Sequence, residues 1–537
     1  MKRPSVLPLP LRPRVTDTHR FLLLSIGIGV LAGLLVVCFH FTIDLVGWGT
    51  LGTPVGANRV ATVLAPALGG GLAALLVMLY FQEAAGSGLA HTKAALYISD
   101  GYVPQRTVLA KFVACALSIG SGNSLGPEDP ALQMGAGVAS RLGRAFALPR
   151  EHLRLIAPVG AAAGIAAAFN TPITAVLFVM EEVIGSWNAH VLGSIVLAAV
   201  SSVVVSRFFL GDAPLFRVPV FELTHPSELV LYGLVGLAAG LLGTLFVRTL
   251  GTLRGRLSDT SRRVRLAQPF LAGLLVGVTG LLLPQVMGAG YTAIDSALHD
   301  EFGWQMLIVL AIAKIAVTAV CFAAGTPGGM FAPTLFVGAM IGGGIGALAQ
   351  VYWPLPTSPP SAYVLVGMGT FFAAVFRAPM TSVFMVFEVS ASYVIILPVM
   401  LANLLAYLVA RRLNPVTFFE MVASQDGLQL PSHERQRERR VLRVEDAMRP
   451  LAADYTPGGG GMPLLHPDQS LDTALHLFGD RAVLTVVSRE EVTRVLGELA
   501  LDDVLRAYGV RRFEEVSTND PDDGRLRRDD PAPGTMP

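Results

Sequence analysis

Long apolar runs alternate with short polar or glycine-rich breaks through the first 410 residues of the chain. Eleven of these runs approach the roughly 20 residues that an α-helix needs to cross a bilayer. The pattern therefore predicts a helical polytopic membrane protein. The predicted spans are Phe21–Trp48, Val60–Phe81, Val108–Ile119, Leu155–Val183, Val191–Leu210, Leu229–Leu250, Pro269–Val286, Met306–Ala324, Phe331–Val351, Tyr363–Phe376 and Tyr393–Leu408.

Several of the predicted spans are short or are interrupted by glycine. A broken helix cannot face lipid, because its freed backbone groups would have no hydrogen-bond partner there. Such segments are tolerated where they are buried in protein or line a cavity. The pattern is typical of transporters and channels.

The chain contains an internal repeat. Residues 168–181 (AFNTPITAVLFVME) align without gaps to residues 375–388 (VFRAPMTSVFMVFE) at an offset of 207. Upstream, residues 126–136 (GPEDPALQMGA) align to residues 329–339 (GMFAPTLFVGA) at an offset of 203. Two matches in the same order indicate duplicated halves. Halves of this kind commonly enclose a substrate site near the middle of the bilayer.

Composition agrees with a membrane protein that carries a charged tail. Hydrophobic residues make up 53% of the chain and charged residues 15%, and 39 of the 79 charged residues lie after residue 410. The net charge of +1 leaves no basic excess, so nothing indicates nucleic acid as a partner. The three cysteines lie in apolar stretches without metal-binding or CxxC spacing, which predicts buried thiols and no metal site.

The two repeated loops have the form G-x-x-x-P and lead directly into apolar helices. Each therefore places a helix N-terminus, with its unpaired N–H groups and partial positive charge, inside the membrane protein. Such a terminus attracts an anion without a buried lysine. A third loop, from Gly86, adds Ser87 at a predicted helix N-cap, where its hydroxyl either donates to an anion or serves as an ordinary cap.

Glu128 is a carboxylate among backbone amides that suit an anion. When ionised it can occupy the anion position itself, and when protonated it should leave. It could instead simply cap a helix N-terminus. Because ionisable residues within membrane-embedded segments are usually functional, we expect Glu128 to gate the anion site under the control of a proton.

Three motifs resemble those of the CLC family of chloride channels and proton-coupled chloride antiporters. They are GSGLA at 86–90, GPEDP at 126–130 and GMFAP at 329–333, and the resemblance spans Phe21–Gly427. It implies an all-α inverted-repeat fold and a homodimer with one pore per subunit. It also implies that Ser87 and the N–H groups of Met330 and Phe331 bind the central anion, with Glu128 as the gating glutamate.

The resemblance further implies a second glutamate that relays protons on the intracellular side, at the position of Glu182. Glu181 has a repeat counterpart in Glu388, whereas Glu182 aligns with Val389. We therefore expect Glu181 to be structural and Glu182 to carry the proton.

The sequence departs from the family pattern near the expected anion path. Pro127 replaces a basic residue and removes one backbone donor. Asp129 replaces a glycine and adds a second carboxylate beside Glu128. Phe419 stands at the inner anion-binding position, where the family has a tyrosine whose hydroxyl contacts the anion. Lys93 and His91 replace acidic residues after the GSG loop, a change that the sequence does not explain.

The tail resembles a shortened CBS (cystathionine-β-synthase) module, with VEDAM at 444–448 as its opening. An amphipathic helix is predicted over Leu471–Phe478, a strand pair over Ala482–Val487 and Arg494–Leu499, and a helix over Leu501–Tyr508. Either adenine-nucleotide binding or a regulatory interaction surface would fit this small α/β domain. The predicted domains are a cytoplasmic N-terminal segment (1–20), a transport domain (21–427), a cytoplasmic CBS-like domain (428–516) and a disordered tail (517–537).

These observations predict a proton-coupled chloride antiporter of the cell membrane, with a passive voltage- or pH-gated anion channel of the same fold as the alternative. Arginines at both ends of the apolar region predict that both termini are cytoplasmic. The sequence contains no HExxH, P-loop or GxSxG motif, so we expect neither an enzyme nor a bound cofactor.

Overall fold

A computed structural model places the chain in two compact units, Met1–Pro431 and Ser432–Pro537. Each unit is described separately. The predicted disordered tail and most of the predicted N-terminal segment lie outside the described residues. The residues that the structure describes are 17–52, 58–186, 189–216, 218–219, 224–428, 430, 442–450, 464–479, 481–489 and 494–507.

The first unit is all-helical in its described part. Among the described residues, nine helices are long and apolar enough to cross a membrane. The helices are α1 Asp17–Leu51, α2 Arg59–Tyr80, α3 Gly88–Tyr97, α4 Gln105–Gly120, α5 Glu128–Ala145, α6 Arg150–Phe169, α7 Pro172–Phe178, α8 Ala189–Leu210, α9 Glu228–Ser258, α10 Arg262–Leu282, α11 Tyr291–Leu298, α12 Trp304–Ala323, α13 Phe331–Tyr352, α14 Pro360–Phe376, α15 Pro379–Ser390, α16 Ile396–Leu413 and α17 Phe418–Gln425.

One predicted span is wrong. Leu155–Val183 is not one continuous helix, because α6 ends where Asn170 adopts a left-handed backbone conformation with φ of 58°. Pro172 then begins α7, and a π-helical turn over Val179–Ile184 follows. The break was not predicted, because the segment is almost entirely apolar and only Asn170 and Pro172 interrupt the helix.

The two repeats are related by a local two-fold axis. Gly126 and Gly329 form an isolated antiparallel bridge, in which the N–H of each donates to the carbonyl of the other at 2.8 and 2.7 Å. Reciprocal contact between equivalent residues is what a two-fold axis produces. Lys111 on α4 and Lys314 on α12, which are 203 residues apart, also each donate to a glycine carbonyl, that of Gly86 and that of Gly288 respectively.

Close helix packing depends on glycines at the helix crossings. Helices α5 and α6 meet at Gly135 and Gly160, and α13 and α14 meet at the equivalent pair, Gly338 and Gly367. A Cβ atom on any of these four glycines would lie within 2.1–2.3 Å of a backbone oxygen of the facing glycine. Small residues at crossings let helix backbones approach within a membrane. The tight packing fixes α5 and α13, whose N-termini form the candidate site.

The strands of the second unit are β1 Arg449–Pro450, β2 Leu464–Leu465, β3 Val483–Val487 and β4 Val495–Ala500. They form a four-stranded sheet of order β1-β4-β3-β2, in which β3 and β4 are antiparallel and β2 is parallel to β3. The predicted helix over Leu471–Phe478 and the predicted strand pair are confirmed. Val444, Leu471, Val486 and Val504 lie in the buried core of this unit. Its helices are α18 Val444–Ala447, α19 Leu471–Phe478 and α20 Leu501–Ala507.

Candidate functional site

The bridge between Gly126 and Gly329 brings the two repeated loops together inside the first unit. Helix α5 begins two residues after Gly126, and α13 begins two residues after Gly329. The first-turn amides of a helix lack partners within that helix, so each terminus can receive an anion. The candidate site therefore lies where the N-termini of α3, α5 and α13 meet.

Glu128 extends from the first turn of α5 toward the N-terminus of α13. Its side chain is fully buried, and neither carboxylate oxygen has a hydrogen-bond partner of normal geometry among the described residues. Oε2 lies 2.4 Å from the position that a Cβ atom would take on Gly126, and the amide nitrogen of Ala332 lies 3.2 Å from that same position. Glycine at 126 is therefore required, because a side chain there would displace the carboxylate.

Ser87 was predicted to bind an anion, and in the structure its hydroxyl already has a partner. Ser87 Oγ donates to Oδ1 of Asp129 at 3.1 Å. The amides of Gly88 and Leu89, at the start of α3, donate to the same carboxylate at 2.8 and 2.9 Å. The Asp129 carboxylate thus fills the position at the N-terminus of α3. Sequence reasoning noted Asp129 as a departure but did not place it there.

Met330, Phe331 and Phe419 were predicted to line the anion position. Met330 caps α13 and Phe331 begins it, so their amides lie at the helix N-terminus as expected. The Phe419 ring is buried and stacks on Phe376, with ring centroids 4.9 Å apart, and it lies 6.1 Å from the Phe331 ring. Phe178 closes this aromatic cluster at 5.1 Å from Phe331. The cluster is an apolar wall that offers no hydroxyl donor.

Glu182, the predicted proton relay, lies on the π-helical turn after α7 and is buried. Its Oε1 is 2.5 Å from Nζ of Lys93, which is also buried on α3. Tyr97, one turn further along α3, donates to the carbonyl of Ile184 at 2.6 Å and joins the same two elements. The unexplained lysine at position 93 is therefore the counter-ion of Glu182. The sequence around Lys93 and the sequence around Glu182 could not reveal this pair, because 89 residues separate the two.

Glu181 and Glu388 occupy equivalent positions and act as reciprocal helix caps. Glu181 accepts hydrogen bonds from the amide and hydroxyl of Thr381 at 2.8 and 2.7 Å, at the start of α15. Glu388 accepts the same two bonds from Thr174 at the start of α7, at 2.8 and 2.7 Å. This exchange agrees with the structural role predicted for Glu181 and distinguishes it from Glu182.

The part of the chain that the structure describes contains no group of three or more histidine, cysteine or acidic residues that could hold a metal ion. The polar groups of the candidate site are instead carboxylates, hydroxyls and backbone amides at helix N-termini. That set suits exchange of an anion against a tethered carboxylate.

Inverted repeats whose broken helices meet at a buried polar site define a multi-pass membrane transport protein. The family model described as voltage gated chloride channel matches residues 69–411. The chain belongs to this family, the CLC family, as its motifs predicted.

Two curated relatives each match about three quarters of this chain. A ClcB-like protein of Ralstonia nicotianae is 32% identical over 420 residues, which cover 75% of this chain and 97% of that protein. The H(+)/Cl(−) exchange transporter ClcA of Vibrio cholerae is 31% identical over 410 residues, which cover 73% and 86%. The solved structure of a slow cyanobacterial Cl−/H+ antiporter shares the fold, with a TM-score of 0.69, 24% identity, and coverage of 79% of this chain and 99% of that one.

Proposed function

We propose that the protein is a proton-coupled chloride antiporter of the cell membrane and not an enzyme. One observation carries the proposal: the fully buried carboxylate of Glu128 lies at the N-terminus of α13 without a hydrogen bond of normal geometry to any described residue. An unpaired buried carboxylate is strongly unfavourable unless it exchanges places with another anion or takes up a proton. Relatives named as H(+)/Cl(−) exchange transporters support this reading over a passive channel.

In the proposed cycle, ionised Glu128 competes with chloride for the amides at the start of α13. Protonation removes its charge, so the side chain withdraws and chloride takes its place. The amides of Met330 and Phe331 then bind chloride, and the aromatic wall at Phe419 borders it. Protonation of Glu128 is thus coupled to movement of chloride in each exchange.

Protons need a route to Glu128 that is separate from the anion. Glu182 is the proposed relay, because it is an ionisable group buried at the end of α7 and held by Lys93. The pair keeps Glu182 charged and available when no proton is passing. Proton uptake would then break the 2.5 Å contact and leave Lys93 with a neutral neighbour.

The test is uptake of protons driven by a chloride gradient into liposomes that contain the purified protein. Wild type should move protons uphill, and Glu128→Gln should conduct chloride without moving protons, because an amide cannot exchange a proton. Glu388→Gln is the matched control: it removes a half-buried carboxylate whose two oxygens are both hydrogen bonded at the N-terminus of α7, and its coupling per folded molecule should equal that of wild type. Absence of uphill proton movement in wild type would favour the channel alternative.

Three further features belong to the same proposal. The arginines that flank the apolar region support a cytoplasmic location for both termini. The assembly is a homodimer with one pore per subunit. The segment 428–516 is a CBS-like cytoplasmic domain that either binds an adenine nucleotide or offers a regulatory surface.

A further inference from the structure

Asp129 makes three hydrogen bonds that a bound anion would otherwise make. They come from the Ser87 hydroxyl and from the amides of Gly88 and Leu89, at 3.1, 2.8 and 2.9 Å. Hydroxyl and amide donors at a helix N-terminus form the set expected for an anion position. A carboxylate of the chain itself occupies that position here.

Glu128, the residue before Asp129, also directs its carboxylate at a helix N-terminus, but at one in the other repeat. Glu128 points to the first turn of α13, whereas Asp129 points to the first turn of α3, and both side chains are buried. The first turn of α5 therefore supplies one carboxylate to a helix N-terminus in each repeat. Among the described residues, the Asp129 oxygens accept hydrogen bonds of normal geometry, whereas the Glu128 oxygens accept none.

Among the described residues, no ionisable group around Asp129 forms a salt bridge with it. Lys111 donates to the carbonyl of Gly86 at 2.6 Å, and Nδ1 of His91 lies 2.8 Å from the carbonyl of Ser87. Asp426, near Gly86, is paired with Arg254. Hydrogen bonds from α3, rather than a paired cation, hold the Asp129 carboxylate in place, so an anion of similar charge can replace it.

We propose that Asp129 is a second, inner gate, whose carboxylate must leave the N-terminus of α3 before chloride can bind there. The inference rests on the proposed function and deepens it by adding a specificity-determining residue to the anion path. Chloride then binds only the fraction of molecules in which Asp129 has withdrawn, and its apparent affinity falls by that fraction. If Asp129 occupies the position at least nine-tenths of the time, its removal should tighten chloride binding tenfold or more.

A purely structural role makes a different prediction. A carboxylate at a helix N-terminus stabilises the helix, and its loss would lower the stability of α3 without creating an anion site. Chloride affinity would then stay unchanged or fall. Affinity, rather than stability, distinguishes the two roles.

The experiment titrates chloride into purified protein in a chloride-free detergent buffer and measures the heat of binding. Asp129→Ala should bind chloride at least tenfold more tightly than wild type, and adding Ser87→Ala to that variant should reverse most of the gain. Asp426→Asn is the matched control, since it removes a nearby carboxylate that does not touch α3 amides, and its affinity should change less than threefold. Asp129→Asn, which keeps the shape of the side chain, provides a second folded variant and should also bind more tightly than wild type.

A folded Asp129→Ala or Asp129→Asn protein with wild-type chloride affinity would overturn the inner gate. An equal gain in Asp426→Asn would also overturn it, because general electrostatics would then explain the effect. Uphill proton movement by wild type is measured separately. Its absence would overturn the antiporter proposal, whatever the binding of chloride to the Asp129 variants shows.

Discussion

The buried ion pair between Lys93 and Glu182 can be tested by a double-mutant cycle. The pair spans 2.5 Å, and the two side chains are only 7% and 10% exposed. At an effective dielectric constant of about 20, the attraction at this distance is about 7 kcal/mol, most of which is offset by the loss of hydration. Removing one partner leaves a buried unpaired charge, so Lys93→Met and Glu182→Gln should each lower the free energy of unfolding by about 3–5 kcal/mol.

The double variant, Lys93→Met with Glu182→Gln, leaves no unpaired charge and should be close to wild type in stability. Unfolding in detergent with increasing denaturant, followed by far-ultraviolet circular dichroism, gives the four free energies. Tyr97→Phe is the matched control, because it removes a neutral hydrogen bond between the same two elements and should cost only about 1 kcal/mol. Losses that add to within about 0.5 kcal/mol would refute a paired, ionised Lys93 and Glu182.

The same double variant separates stability from transport. It should be folded and should conduct chloride in liposomes, yet it should not move protons, because no ionisable group remains at position 182. Full coupling in this variant would show that protons reach Glu128 by another route, and Glu182 would then be a structural partner of Lys93.

Two further predictions concern the aromatic wall and the reciprocal caps. Phe419→Tyr supplies a hydroxyl donor beside the anion position and should tighten chloride binding, measured by calorimetry, by up to about 1–3 kcal/mol; an unchanged affinity would place residue 419 away from the anion. Glu181→Gln and Glu388→Gln each weaken a charged helix cap that accepts two hydrogen bonds from a threonine. Each should lower the free energy of unfolding by about 1.5–3 kcal/mol. The proton-to-chloride ratio of the folded protein should stay at the wild-type value. A lower ratio in Glu181→Gln would contradict its structural role.

The repeats and the membrane-crossing helices could be predicted from sequence because both leave local signals. Self-similarity identified the loops at Gly126 and Gly329, which the structure joins by reciprocal hydrogen bonds. Apolar runs located the long helices. The break between α6 and α7 was missed because apolar content does not register the turn at Asn170. The short helices α3, α11 and α17 were also not among the predicted spans, since 8–10 residues cannot cross a bilayer.

The contacts that define the site could not be predicted from sequence. Ser87 and Asp129 are 42 residues apart, and Lys93 and Glu182 are 89 residues apart. Periodicity indicates which face of a helix is apolar but not which helix packs against it. The sequence did mark Asp129 and Lys93 as departures from the family pattern, and both proved to be partners of predicted site residues. Such departures are therefore a useful signal where contacts are long-range.

The order of the two carboxylates explains how one helical turn reaches both repeats. Consecutive residues of an α-helix project about 100° apart, so Glu128 and Asp129 cannot share one partner. With Glu128 directed at α13, a side chain at 129 is directed at α3, where glycine would leave the donors of α3 free. If the two carboxylates withdraw through one movement of this first turn, displacement of Glu128 also displaces Asp129. Chloride binding at the two helix N-termini would then be linked through α5, and the effects of Glu128→Gln and Asp129→Ala on chloride affinity should not be additive.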